Sequence, residues 1–123
     1  MSKTPFLHWL SEPEAHNYPA ALSFLSLIFE ESSAQLTVEK LRSAPLSEFK
    51  AKDIFRASNL SLLGANNAHL RRDEEKIQSG IALSPILLTR APQLGKVIVA
   101  DGYHRLCAVY LFDEDALISC KIV

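Results

Sequence analysis

The scarcities of this sequence limit it before its motifs do. Cysteine occurs only twice, at Cys107 and Cys120, each inside an apolar run and neither in CxxC or Cys/His spacing. That pattern excludes a disulfide-stapled scaffold and a thiolate zinc site, and predicts two buried thiols in a reducing compartment. Charge of one sign is also missing: 13 Lys and Arg stand against 14 Asp and Glu, a formal net charge of -1. Without a broad basic field the chain has no surface for holding DNA or RNA by counterion release, so direct nucleic-acid binding is not expected and any anion site must be local. No apolar run is long. AALSFLSLIF, residues 20–29, follows Glu12 and Glu14 instead of a basic region, and reaches about half the length of a membrane span. Neither a transmembrane helix nor a signal peptide is expected, and a cytoplasmic location is. What remains is 123 residues, 48% hydrophobic and 22% charged, enough for one globular domain with a modest core.

Asn17 and Pro19 introduce the apolar run as a helix start, with Asn as cap and Pro in the first turn. Leu22, Leu25, Leu27, Ile28 and Phe29 leave only serines to soften a face, which predicts a helix buried between other elements, a homodimer contact being the alternative. Thr37 is expected to cap a short helix running through Arg42 and ended by Pro45, and Ser47 to cap a third, SEFKAKDIFRAS. The stretch from Ser32 to Leu36 is the best boundary between an N-terminal appendage and the rest.

From residue 60 the character changes. LSLL, PILLTR, KVIVA and ALISCKIV lean towards strands and are separated by helical stretches at Asn67 to Ser79 and Tyr103 to Phe112. Gly80 supplies a left-handed C-cap for the first of these, and APQLG joins PILLTR to KVIVA as a hairpin. The fold class read from this pattern is α/β (α+β): a small mixed β-sheet with packed helices over residues 46–123, preceded by a helical extension over 1–45. Trp9 is expected to anchor the N-terminal arm, Tyr110 to sit at the core edge, and Asp113, Glu114 and Asp115 to form a turn.

The stretch VIVADGYHRLCAVY, residues 97–110, carries the chemistry. His104 and Arg105 fall in the first turn of a helix, where an exposed cation opposes the helix dipole by roughly 0.3 to 1 kcal/mol. Two readings account for them. In one, Asp101 caps the helix and pairs with Arg105 one turn later. In the other, free backbone N–H groups, the permissive Gly102, and the cationic His104 and Arg105 form a phosphate cradle, beside which Asp101 holds a magnesium ion or accepts a substrate proton. The residues leave these two evenly weighted.

The pattern V-x-DGYHR-x-x-A, preceded by a hairpin and followed by a short strand, resembles the ParB/sulfiredoxin superfamily over roughly residues 52–123. The resemblance implies a small α/β domain that binds nucleotide phosphates at the start of the helix carrying the motif. Sulfiredoxins place a cysteine immediately before His-Arg, where this chain has Tyr103, so their repair chemistry lacks its nucleophile here. The chromosome-partition ParB proteins carry Gly-Glu-Arg-Arg and bind CTP. The closest spelling is the Asp-Gly-His-His-Arg of the free-serine kinases, which Asp101, Gly102, Tyr103, His104 and Arg105 resemble with one exchange. By that likeness Asp101 is the catalytic or magnesium-binding acid, His104 a further catalytic group, and Gly102, Tyr103, His104 and Arg105 hold the phosphates of ATP or CTP.

The same resemblance puts the segment NNAHLRRDEEKIQSG opposite the nucleotide, with His69 and Arg72 as candidate ligands, while Arg71 pairs with Glu75 on a solvated face. His8 and His16 have no partners at metal-ligand spacing and are expected on the surface. Free-serine kinases also use a second acid, which no motif locates in this sequence. The expected function is therefore binding of a nucleotide or small phosphorylated ligand, serving a small-molecule phosphotransferase or an NTPase. The alternative is a non-catalytic anion-sensing or protein-interaction module.

Overall fold

A computed structural model of the chain describes residues 6–63 and 67–123; Asn66, the first residue of the basic segment above, lies outside them. The order of elements is α1 (Asn17–Leu25), α2 (Glu31–Ser43), β1 (Ser47–Lys50), α3 (Ala51–Ser58), α4 (Ala68–Gln78), β2 (Ile86–Ala91), a 3-10 turn (Pro92–Leu94), β3 (Lys96–Asp101), α5 (Tyr103–Phe112) and β4 (Leu117–Ile122). The fold is thus a small α+β fold with a mixed sheet. The strands lie in the order β1-β4-β2-β3, with β2 and β3 an antiparallel hairpin, β1 antiparallel to β4, and β2 parallel to β4 at the centre.

Alternation along each strand divides the sheet into two apolar faces. Ile86, Leu88, Val99, Ile118 and Cys120 point to one face, where they share a core with Ile54 of α3, Leu70 and Ile77 of α4, and Leu106 and Val109 of α5. Leu87, Ala91, Ile98 and Ala100 point to the other, against Tyr18, Ala21 and Leu25 of α1 and Ala34, Val38 and Leu41 of α2. The central strand β2 is covered on both sides, which is why its sequence opens as an unbroken apolar run instead of alternating. Three layers result, with the sheet in the middle. The N-terminal arm is tied down by Leu10 N–H donating to the Leu83 carbonyl and Leu83 N–H donating to the His8 carbonyl, both at 2.8 Å. Trp9 packs against the first core, as its sequence position led us to expect.

The hairpin, α5, the last strand and the left-handed Gly80 (φ 70°) fall where the sequence puts them. Five expectations change, the last of them at LSLL. Asn17 is not a cap: it is buried, and its Oδ1 accepts a hydrogen bond from the Ser84 hydroxyl at 3.0 Å, while His16 takes the cap position without a side-chain bond. Satisfying a buried hydroxyl outweighs capping an exposed helix end. The apolar run is not buried throughout, because α1 stops at Leu25, the Ser26 hydroxyl bonds back to the Leu22 carbonyl, and Leu27 is left 86% exposed. Thr37 does not start a helix; α2 begins at Glu31, the stretch 32–36 lies inside it, and the Thr37 hydroxyl donates to the Ser33 carbonyl of the preceding turn. Ser47 opens a strand instead of capping a helix, since residues 47–50 pair in full with 117–120 and the helix waits until Ala51.

LSLL forms no strand; its Ser61 carbonyl accepts the Tyr103 hydroxyl. Both thiols are buried as expected, and burial pushes the Cys120 thiol up to about 11. Among the described residues no helix is long and apolar enough to cross a membrane.

Candidate functional site

Strand β3 ends at Asp101 and the chain must reverse immediately to lay α5 over the sheet. Gly102 makes that reversal at φ 108°, a backbone conformation that residues with a Cβ rarely adopt. Space demands glycine as well: a Cβ there would stand 2.5 Å from Ile86 Cγ2 and 2.8 Å from Ile86 Cβ. Gly102 then occupies the cap position, and the Leu106 N–H makes the first helical bond to the Gly102 carbonyl at 2.9 Å. The N–H groups of Tyr103, His104 and Arg105 precede that bond, so they have no acceptor within the helix, and glycine offers no side chain to cap them.

The capping reading of Asp101 is therefore half right. The cap position belongs to Gly102, but Asp101 does pair with Arg105, Oδ2 accepting from Nη2 at 2.8 Å. Burial holds the Asp101 carboxyl above its ordinary range, and the attraction of Arg105 only partly offsets that; among the more distant influences His16 lowers it and Glu14 raises it. The pair uses one arm of the Arg105 fork. Its Nε is buried with no acceptor among the described residues, an orphaned donor in a half-buried guanidinium.

Helix α4 supplies the opposite wall. Asn67 caps it, its Oδ1 accepting from the N–H groups of His69 at 3.0 Å and Leu70 at 3.1 Å. Leu70 and Ile77 are buried and fix the helix against the core. His69, Arg72, Asp73 and Lys76, at i, i+3, i+4 and i+7, share one face, and that face looks onto the start of α5. Together with Asp101, Gly102, His104 and Arg105 they line an open cleft of about 210 Å³. Across it the His69 and His104 rings lie 4.8 Å apart between centroids, tilted by 42°. Burial keeps the His104 imidazole below its ordinary value, His69 and Arg105 lower it further, and Asp73 opposes them. Burial also raises the Asp73 carboxyl, with Arg105, Lys76, His104 and His69 each pulling it back.

Of the residues singled out from sequence, Asp101, Gly102, His104, Arg105, His69 and Arg72 all line this cleft. Tyr103 contributes a first-turn N–H, but its side chain turns away, packing on the core and donating its hydroxyl to Ser61. Asp73 and Lys76 were missed. The signal that finds them is helical spacing from His69, which puts a carboxylate and an ammonium beside the candidate ligands. Chemically, the cleft gathers three fixed cations, two partly buried carboxylates and two imidazoles around an uncapped helix start. That is a setting for a multiply charged anion with oxygen acceptors. Compared with family models, curated proteins and solved structures, the chain matches none.

Proposed function

We propose that the cleft between α4 and α5 binds the phosphate groups of a nucleotide, ATP or CTP. The observation that carries this reading is the convergence of Arg72, Lys76, Arg105 and two histidines on the uncapped first turn of α5. Backbone N–H groups supply directed donors, and Arg105, Arg72 and Lys76 supply charge around them. The resemblance of Asp101 to Arg105 to the ParB/sulfiredoxin motif favours a nucleotide as the bearer of the phosphates.

In a transfer to a small hydroxylated acceptor, Asp73 is the carboxylate available to take the hydroxyl proton as the new oxygen–phosphorus bond forms and the bond to the departing diphosphate breaks. Its burial-raised affinity for protons suits that role. Asp101 instead holds Arg105 in place. Asp101 is also the acid that the sequence offers to magnesium, but its Oδ2 is committed to Arg105. Among the described residues no group of three or more His, Cys, Asp or Glu side chains surrounds a common point. These described residues do not build a metal centre on their own. A second reading, an anion sensor without catalysis, is favoured by the same Asp101–Arg105 pair, which removes the motif's acid from proton transfer.

Thermal melting with ATP, CTP and ADP, each with and without magnesium, tests the binding claim. A ligand at a hundred times its dissociation constant stabilises by about 2.7 kcal/mol, a rise of several degrees in Tm. We expect such a rise with at least one nucleotide, and its loss in Arg105→Ala compared with that variant's own unliganded melt. No shift with any of the three contradicts the reading. Turnover of the bound nucleotide that is lost in Asp73→Asn selects transfer, and binding without turnover selects the sensor.

A further inference from the structure

The cleft contains a feature that plain phosphate binding does not require: two imidazoles face each other across its mouth, one from each helix, with ring centroids 4.8 Å apart. Two neutral rings at that separation are compatible with an open cleft. Two imidazolium rings repel one another unless a negative group lies between or beside them. We propose that His69 and His104 act as a proton-linked clamp, so that anion binding in the cleft between the two rings is accompanied by proton uptake on His104 and weakens as pH rises. This inference rests on the phosphate-binding reading and adds regulation by pH to it.

The surroundings set the direction. From α5, Arg105 faces His104 and disfavours its charged form, and Tyr103 places its ring 5.8 Å from it without adding charge. From α4, Asp73 favours the charged form of His104, while Arg72 and Lys76 line the same cleft and add positive field. From β3, Asp101 is neutralised by its 2.8 Å pair with Arg105. His16 and Glu14 act on Asp101 and are not among the groups that shift His104. In the free protein the balance favours the neutral form of His104, since burial, His69 and Arg105 together outweigh Asp73. A dianion in the cleft reverses that balance, favouring the imidazolium form of His104, in which both ring nitrogens donate. The sign follows for His104. Its free-state value is depressed and the bound anion raises it, so the added affinity is complete below the free-state value and is lost as pH rises through the bound-state value.

Sulfate is a suitable probe because it stays a dianion throughout, so any pH response belongs to the protein. Its affinity for the full chain is measured by titration calorimetry between about pH 6 and about pH 8, where histidine titrates. Each proton taken up steepens the loss by about tenfold per pH unit. We expect a fall of at least tenfold across the range in the parent, and a slope clearly reduced in His69→Gln and in His104→Gln, with folding of each variant checked by its melt. Asp73→Asn, which removes the opposing carboxylate, is expected to bind sulfate more tightly and to keep the slope. Sulfate binding that is equally tight at both ends of the range overturns the clamp and leaves the anion site standing. A slope that survives in both histidine variants, or that vanishes with Asp73, also overturns the clamp by assigning the proton elsewhere. No saturable binding of sulfate or nucleotide at any pH overturns the phosphate-binding reading itself, and the clamp with it.

Discussion

Gly102 is the residue on which the site turns. Its positive φ and the proximity of Ile86 both follow from the need to swing the chain from β3 onto α5 within one residue. Gly102→Ala would combine a disfavoured backbone with a Cβ placed 2.5 Å from a buried methyl group, one that the packed strand β2 has little freedom to move. We expect a loss of about 3 kcal/mol or more, read as a lower urea midpoint with an unchanged m value. A loss under about 1 kcal/mol would mean that the turn relaxes easily and is not the tight element described. The role of Gly102 was legible because Asp-Gly between an apolar strand and an apolar helix admits few geometries. The role of Asn17 was not. Its partner, Ser84, lies 67 residues further along the chain, and no local pattern distinguishes a buried amide acceptor from a helix cap.

At the scale of elements, α4 does the most to make a cleft out of a helix start. Its span was readable, since the helical stretch read from Asn67 to Ser79 ends at Gly80 as expected; that Asn67 caps the helix instead of opening it was not read. Its functional face was readable only in part. His69 and Arg72 attract attention as residue types, whereas Asp73 and Lys76 acquire meaning once Leu70 and Ile77 fix how the helix is rolled against the core. The two strands misread from sequence share one physical cause. Strand β1 exists because residues 117–120 offer it a full set of backbone partners, and LSLL, far more apolar than SEFK, is given none. Pairing over such distances is invisible to propensity. For α4 the cap provides a direct test: Asn67→Ala removes the acceptor for two N–H groups and should cost about 1 kcal/mol, with Asn67→Asp close to the parent. Because the same turn positions His69, Asn67→Ala should also weaken sulfate binding, measured in the same samples. Unchanged stability and unchanged binding would show that α4 is held by packing alone.

At the scale of the whole molecule, the three layers are joined by apolar burial on both faces of β2 and by polar ties that include the Asn17–Ser84 bond of α1 and one made by β4 to α2. Lys121 of β4 is only 2% exposed, and its Nζ donates to the Arg42 carbonyl at the end of α2 at 2.9 Å. It also lies 3.3 Å from Glu12 of the N-terminal segment. Glu12 is largely exposed, so the ion pair adds little; the bond to the helix end is the part that matters. Lys121→Met keeps the buried stem and removes the donor, and should lower stability by about 1 to 2 kcal/mol in urea unfolding. No change would assign the docking of α2 to its apolar contacts with the sheet.

The central claim is that the first turn of α5 receives an anion, and backbone amide NMR of the whole chain tests it most directly. On titration with ADP the account predicts saturable shifts concentrated on the N–H groups of Tyr103, His104 and Arg105, with a second set on α4 around His69 and Arg72. Adenosine alone should leave the α5 amides unmoved. Saturable shifts that map elsewhere, for example to the apolar groove beside Phe49 and Ile122, or no saturable shift up to millimolar ADP, would contradict it.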